Sequence, residues 1–140
     1  MNRIHFETRI QAPKERVWQT LWEDRTYREW TAVFSPGSYA ESDWKEGSPI
    51  RFLSPGGNGM YGIIKKRVEN QEMIFEHRGE IHEGKEEAKP WSGAEEAYYL
   101  SETDGITTVR AEMDANPEME AYFRETFPKA MAKLKEICEG

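Results

Sequence analysis

The stretch NPEMEAYFRETFPKAMAKLKEICEG, residues 116–140, reads as one long amphipathic helix, and its apolar stripe decides the fold. Asn116 suits the N-cap and Pro117 the first helical position, where a missing N–H costs nothing. Glu118 and Glu120 lie near the positive end of the helix dipole, while Lys129, Lys133 and Lys135 lie toward the negative end. Phe123, Phe127, Met131, Leu134 and Cys138 recur at three- and four-residue steps and share one face. Pro128 interrupts the pattern, since it removes one backbone hydrogen bond and is expected to kink the helix. At about 1.5 Å per residue the segment reaches roughly 35 Å, enough to cross a small domain.

Upstream, the periodicity changes from helical to alternating. Ile4, Phe6, Thr8 and Ile10 alternate with His5, Glu7, Arg9 and Gln11, the pattern of a half-buried strand. Pro13 then opens a helix whose apolar side is Val17, Trp18, Leu21 and Trp22. Asp24 is placed to cap a second, short helix carrying Tyr27 and Trp30. From Phe34 to Met113 the signals are strands and turns. Pro36-Gly37, Lys45-Glu46-Gly47, SPGGNG at 54–59, Glu69-Asn70-Gln71 and Thr103-Asp104-Gly105 separate roughly six strands. The polar run HEGKEEAKP, 82–90, reads as an exposed loop. Short connections make the strands antiparallel neighbours. One face of such a sheet needs a cover, and the C-terminal stripe fits it. The expectation is an α+β, helix-grip fold: a curved seven-stranded antiparallel sheet wrapped around a long C-terminal helix, with two short helices after the first strand.

Composition narrows the function. The 140 residues fit one domain, 1–140, able to bury about two-thirds of its unfolded surface without a disulfide or structural metal. The lone Cys138 cannot form an internal bridge, which favours a cytoplasmic location. The N-terminal segment has no signal-peptide apolar core, and no apolar run approaches the ~20 residues of a membrane span. A formal net charge of -7 argues against nucleic acid and anionic membrane as partners. Aromatic residues make up 12% of a chain that is only 37% hydrophobic. Apolar volume concentrated in large rings fills a core or lines a cavity.

The words IQAPKERVWQTLWEDRTYREW, SDWKEGSPIRF, YGIIKKRVENQEMIFEH and YFRETFPKAMAKLKEI, taken together, resemble the START/polyketide-cyclase/birch-pollen-allergen superfamily (SRPBCC). The branch they most resemble is that of the activator of Hsp90 ATPase homologue. The Ala-Pro at 12–13, the Asp43-to-Gly47 turn, Gly62 and Pro128 carry the match. The resemblance implies the same helix grip and an apolar pocket between sheet and helix. Members that stimulate the Hsp90 ATPase carry a separate, larger N-terminal domain, whereas the first strand here starts at about Ile4. A chaperone role is therefore not the expectation.

Parity turns Ile50, Phe52, Met60, Ile64, Met73, Phe75, Tyr98, Leu100 and Val109 toward the helix. From these and the helix stripe, the candidate ligand-binding residues are Trp30, Phe34, Phe52, Met60, Phe75, His77, Tyr98, Phe123, Phe127 and Met131. His77 is the distinctive polar member, since it follows Met73 and Phe75 at alternate positions; it anchors a ligand, serves as an acid or base, or simply bonds backbone at a strand end. No carboxylate or cysteine is spaced to complete a metal site with His77 and His82. SPGGNG lacks the phosphate-loop pattern and reads as a hairpin loop. No serine or cysteine sits in a strand-to-helix elbow, and Cys138 reads as a small hydrophobe. Glu86-Glu87 and Glu95-Glu96 are adjacent pairs that read as solvated surface. No catalytic residue, cofactor or metal is assigned.

The expected function is binding of a hydrophobic or amphipathic small molecule by a monomer or homodimer. One alternative is a polyketide cyclase/aromatase-like or hydratase-like enzyme in which His77 or Tyr98 moves a proton. The other is a protein-interaction module, related to chaperone activators, that exposes Trp18, Trp22 and Trp44.

Overall fold

The computed structural model describes residues 1–140. Its order is β1 (Asn2–Ile10), α1 (Lys14–Trp22), α2 (Asp24–Thr31), β2 (Tyr39–Glu41), β3 (Pro49–Ser54), β4 (Asn58–Val68), β5 (Glu72–His82), β6 (Lys85–Ala88), β7 (Glu95–Thr103), β8 (Ile106–Ala115) and α3 (Pro117–Glu139). The strands form one antiparallel sheet in the order β1-β8-β7-β5-β4-β3-β2, with β6 paired to β5 outside that path. The fold is thus α+β, a helix grip with α3 as its long C-terminal helix. β1 and α3, the two ends of the chain, meet where Phe6 stacks on Phe127 with centroids 5.1 Å apart and planes 6° from parallel.

The expected strand pattern needs one addition. The run 82–90, read above as loop, contains β6, all four residues of which are exposed. It pairs with β5 from Gly79↔Ala88 to His82↔Lys85, so backbone hydrogen bonds hold it without any apolar alternation to announce it.

α3 begins as its sequence predicts. The Asn116 side-chain oxygen accepts from the Met119 N–H at 2.8 Å, and Pro117 fills the first turn. The helix then continues through Pro128 without a break. Its far end is closed from α1: Arg16 Nε donates to the Cys138 carbonyl at 2.6 Å, satisfying one of the last-turn carbonyls that no helical N–H can reach. Phe127, Ala130, Met131, Leu134 and Cys138 are buried. Asp24, expected as the cap of α2, is instead that helix's first residue, and no side chain caps the N-terminus. Its carboxylate accepts from Arg28 Nε, one turn on, at 3.0 Å.

Trp18 and Trp22 are buried and Trp44 half-buried, so the exposed tryptophan patch expected of an interaction module is absent. Trp22 lies edge-on to Phe75 and Tyr98, 5.4 and 5.1 Å away, and Trp44 tilts against Trp22 at 5.8 Å. α1 and the β2–β3 connection seal this end of the core with rings.

Candidate ligand-binding site

At the other end the rings stop short of filling the space. A cavity of about 270 Å³ lies between α2, the inner face of the sheet and the first half of α3. Tyr27 and Trp30 come from α2, Phe34 from the connection after it, Tyr39, Phe52, Met60 and Met113 from the sheet, and Met119, Tyr122, Phe123 and Phe127 from α3. Trp30 is fixed by its indole N–H, which donates to the Leu21 carbonyl at 3.1 Å. Phe127 meets Phe34 edge-on at 5.1 Å.

Of the residues the sequence nominated, Trp30, Phe34, Phe52, Met60, His77, Tyr98, Phe123 and Phe127 border this cavity. Phe75 and Met131 do not. They face inward, as strand parity requires of Phe75 and helical spacing of Met131, but they lie deeper, 1% and 6% exposed, in the packed core. Tyr27, Tyr39, Met113, Met119 and Tyr122 border it without having been nominated. The helix stripe marked by Phe123 and Phe127 pointed toward Met119, one turn earlier.

Among the rings, the wall carries a hydrogen-bonded cluster of ionisable side chains. His77 Nε2 lies 2.9 Å from Glu96 Oε1, and the Tyr98 hydroxyl donates to the other carboxylate oxygen of Glu96. Acting as acceptor for both, the carboxylate fixes the His77 Nε2–H; in the neutral ring Nδ1 then carries the lone pair. That Nδ1 is buried with no hydrogen-bond partner. Burial, and then the neighbouring Glu96 charge, push the Tyr98 hydroxyl well above its ordinary value. The same two causes raise Tyr27.

Register assembles the cluster. β5 and β7 pair Phe75 with Glu96 and Met73 with Tyr98, so His77 reaches Glu96 diagonally on the same face. The β4–β5 register shifts just beyond, between Tyr61 and Gly62, and such bulges re-aim the strand next to a site. Gly62 is required there: a Cβ on it would stand 2.1 Å from the Glu76 carbonyl oxygen. Glu96 therefore corrects the reading of the Glu95-Glu96 pair as solvated surface. Glu95 does face out, 3.1 Å from Arg3, but Glu96 faces the cavity.

Elsewhere the structure is plain. No group of three or more His, Cys, Asp or Glu side chains could hold a metal ion. SPGGNG forms the β3–β4 hairpin loop. Burial raises the Cys138 thiol above its ordinary value, which keeps it protonated and unreactive. No helix is long and apolar enough to cross a membrane.

The sequence matches the family described as Activator of Hsp90 ATPase homolog 1-like protein over residues 11–139. The chain belongs to that family. Comparison with curated proteins finds no significant match. Among solved structures, the family member resembles the Aha1 dimer from Colwellia psychrerythraea with a TM-score of 0.78 and 22% identity, covering 99% of this chain and 97% of that one. It resembles CalU16 from Micromonospora echinospora at 0.72 and 19%, over 99% and 74% of the two chains. Protein MLL2253 from Mesorhizobium loti aligns at 0.75 and 16%, over 96% and 95%. At these identities the likeness is one of fold.

Proposed function

We propose that this chain, as a single domain, holds a hydrophobic or amphipathic small molecule in the cavity between the sheet and α3. The observation that carries the reading is an aromatic-walled space of about 270 Å³ whose wall bears one cluster of polar groups, His77, Glu96 and Tyr98. A void of about 150 Å³ suffices for benzene, so this one suits a body of about two rings. Each ring surface covered contributes on the order of 2 kcal/mol, and three or four such contacts support micromolar affinity after ordering costs. The fold of the SRPBCC superfamily and its grip around α3 support the same reading. A dimer is among the similar structures, and the site described here needs only one chain.

Native mass spectrometry of the purified protein, followed by denaturing extraction, tests the proposal. A reproducible bound mass of a few hundred daltons supports it and gives the ligand's chemical class. A bare chain that also fails to take up a neutral aromatic probe such as N-phenyl-naphthylamine overturns it.

A second reading, a cyclase/aromatase-like or hydratase-like enzyme, is favoured by the same His77–Glu96–Tyr98 contacts. They give His77 the carboxylate partner that a proton-transferring imidazole uses. A His77→Ala variant that retains binding and loses turnover supports it; unchanged turnover excludes His77 from the chemistry.

A further inference from the structure

The fixed charges lining the cavity are all of one sign. Its lining contains no lysine and no arginine, and three carboxylate residues, Glu95, Glu96 and Asp114. Two of these are spoken for on the outer face of the sheet. Glu95 pairs with Arg3 and Lys65. Asp114 lies 3.5 Å from Arg3 and accepts from the Glu95 N–H. Arg28, whose guanidinium lies 4.9 Å over the Tyr39 ring, is held by Asp24. Glu96 is different. Its neighbours are a tyrosine hydroxyl and an imidazole, each oxygen keeps a free lone-pair direction, and its side chain is 25% exposed in a space walled mainly by apolar side chains, many of them rings.

Such a wall discriminates by charge. The faces of Tyr, Trp and Phe rings attract cations and repel anions, and a carboxylate away from bulk water stabilises a partner cation more strongly than it would at the surface. An anionic head group would enter beside Glu96 with no lysine or arginine to receive it and with the one imidazole, His77, already turned to Glu96, and a buried charge without a partner is strongly disfavoured. The overall charge of -7 works in the same direction on the approach.

We infer that the cavity selects a positively charged amphipathic molecule, a protonated amine on an apolar body of about two rings, with Glu96 as its counter-ion. This inference rests on the cavity being a ligand site, and it names the ligand's class. Fatty acids, aryl carboxylates and phosphate esters are the classes it excludes.

Three probes with one body and different heads test it: naphthylmethylamine, naphthylmethanol and naphthoate, titrated calorimetrically into the full chain at neutral pH. The amine is expected to bind about tenfold or more tighter than the alcohol, with naphthoate weakest. Glu96→Gln is expected to bring the amine to the alcohol's affinity while the alcohol changes little, and Glu112→Gln, which pairs with Arg3 and Arg110 on the outer face, to leave the ranking intact. Should Glu96→Gln fail to fold by circular dichroism, the ranking in the unmodified protein decides alone. An alcohol that binds as well as the amine, or a naphthoate that binds better than either, overturns the charge inference and leaves the cavity reading standing. Failure of all three to bind overturns both.

Discussion

The Tyr122 hydroxyl on α3 donates to the main-chain carbonyl of Phe34 at 2.8 Å, tying the long helix to the turn that follows α2. Both residues border the cavity, and their rings tilt together at 6.4 Å. Tyr122 is one of the few large side chains left exposed, so the bond crosses the rim rather than the floor.

That geometry makes Tyr122→Phe informative. One exposed neutral hydrogen bond contributes about 0.5–1.5 kcal/mol, so the variant is expected to melt close to the parent. If the bond holds the rim closed, a bias of about 1 kcal/mol corresponds to a roughly fivefold faster release of bound N-phenyl-naphthylamine. Stopped-flow fluorescence measures this directly. An unchanged release rate means the rim does not gate the cavity.

Tyr98 ties the polar cluster to stability at high pH. Its folded-state value is raised above the ordinary value of about 10, mainly by burial, so the folded chain binds the phenolic proton more tightly than the unfolded one. The associated stability is full below about 10 and is lost as pH rises through the folded-state value. Phenolate absorbance is therefore expected to fall short of six tyrosines while the chain is folded, with Tyr27 and Tyr98 ionising only on unfolding. Tyr98→Phe should flatten the alkaline decline in Tm. At neutral pH it should cost about 1.5–3 kcal/mol, the range for a hydrogen bond to a charged group. An alkaline limb identical to the parent's would assign the effect elsewhere.

On the outer face, Arg3 joins three strands by contacts of 3.1 Å to both Glu95 and Glu112. Lys65 first, and Arg3 after it, hold the Glu95 carboxyl below its ordinary value; Arg110 first, and then Arg3, do the same for Glu112. Depressed carboxylates stabilise the fold above their ordinary value, about 4.5, and that contribution is lost as pH falls through the folded-state value. Tm is expected to fall below about pH 4.5, and the Glu95→Gln, Glu112→Gln double variant to show a shallower acid limb. Its Tm at neutral pH should drop by only a few degrees, because partly exposed ion pairs contribute little. A parallel acid limb in the variant would locate the sensitive carboxylates elsewhere.

How far the sequence reaches is clear from particular residues. The stripe Phe127, Met131, Leu134 and Cys138 lies buried as its spacing requires, and the alternation of Ile106–Ala115 matches its burial nearly residue for residue. β6 was illegible because all four of its residues face solvent, so no polarity contrast survives. Phe75 and Met131 show the limit of strand parity and helical spacing, which tell inside from outside but not a cavity wall from the core behind it. Glu96 was legible in part: Tyr98 and Leu100 face inward, and the same two-residue period puts Glu96 with them. Its adjacency to Glu95 hid this. Its contact with His77 depends on the β5–β7 register, set by pairings that one strand's sequence does not contain.

Phe127 and Met60 together separate a hollow from a wall. Phe127 belongs to both: 2% exposed, it stacks on Phe6 and also borders the cavity. Phe127→Ala is therefore expected to cost about 3–5 kcal/mol, as truncating a buried ring does. Met60 borders the same space but is only half-buried, near the start of β4. Enlarging a side chain in a tightly packed core costs about 1–3 kcal/mol; at Met60 the added ring has empty volume to occupy and a strand backbone that favours aromatics. Met60→Trp is thus expected to melt near the parent while weakening N-phenyl-naphthylamine at least about tenfold, since the indole takes the probe's place. Paired thermal melts and fluorescence titrations decide it. A Met60→Trp variant that is strongly destabilised would show that the space closes up in solution, and one that binds the probe normally would move the binding site away from this cavity.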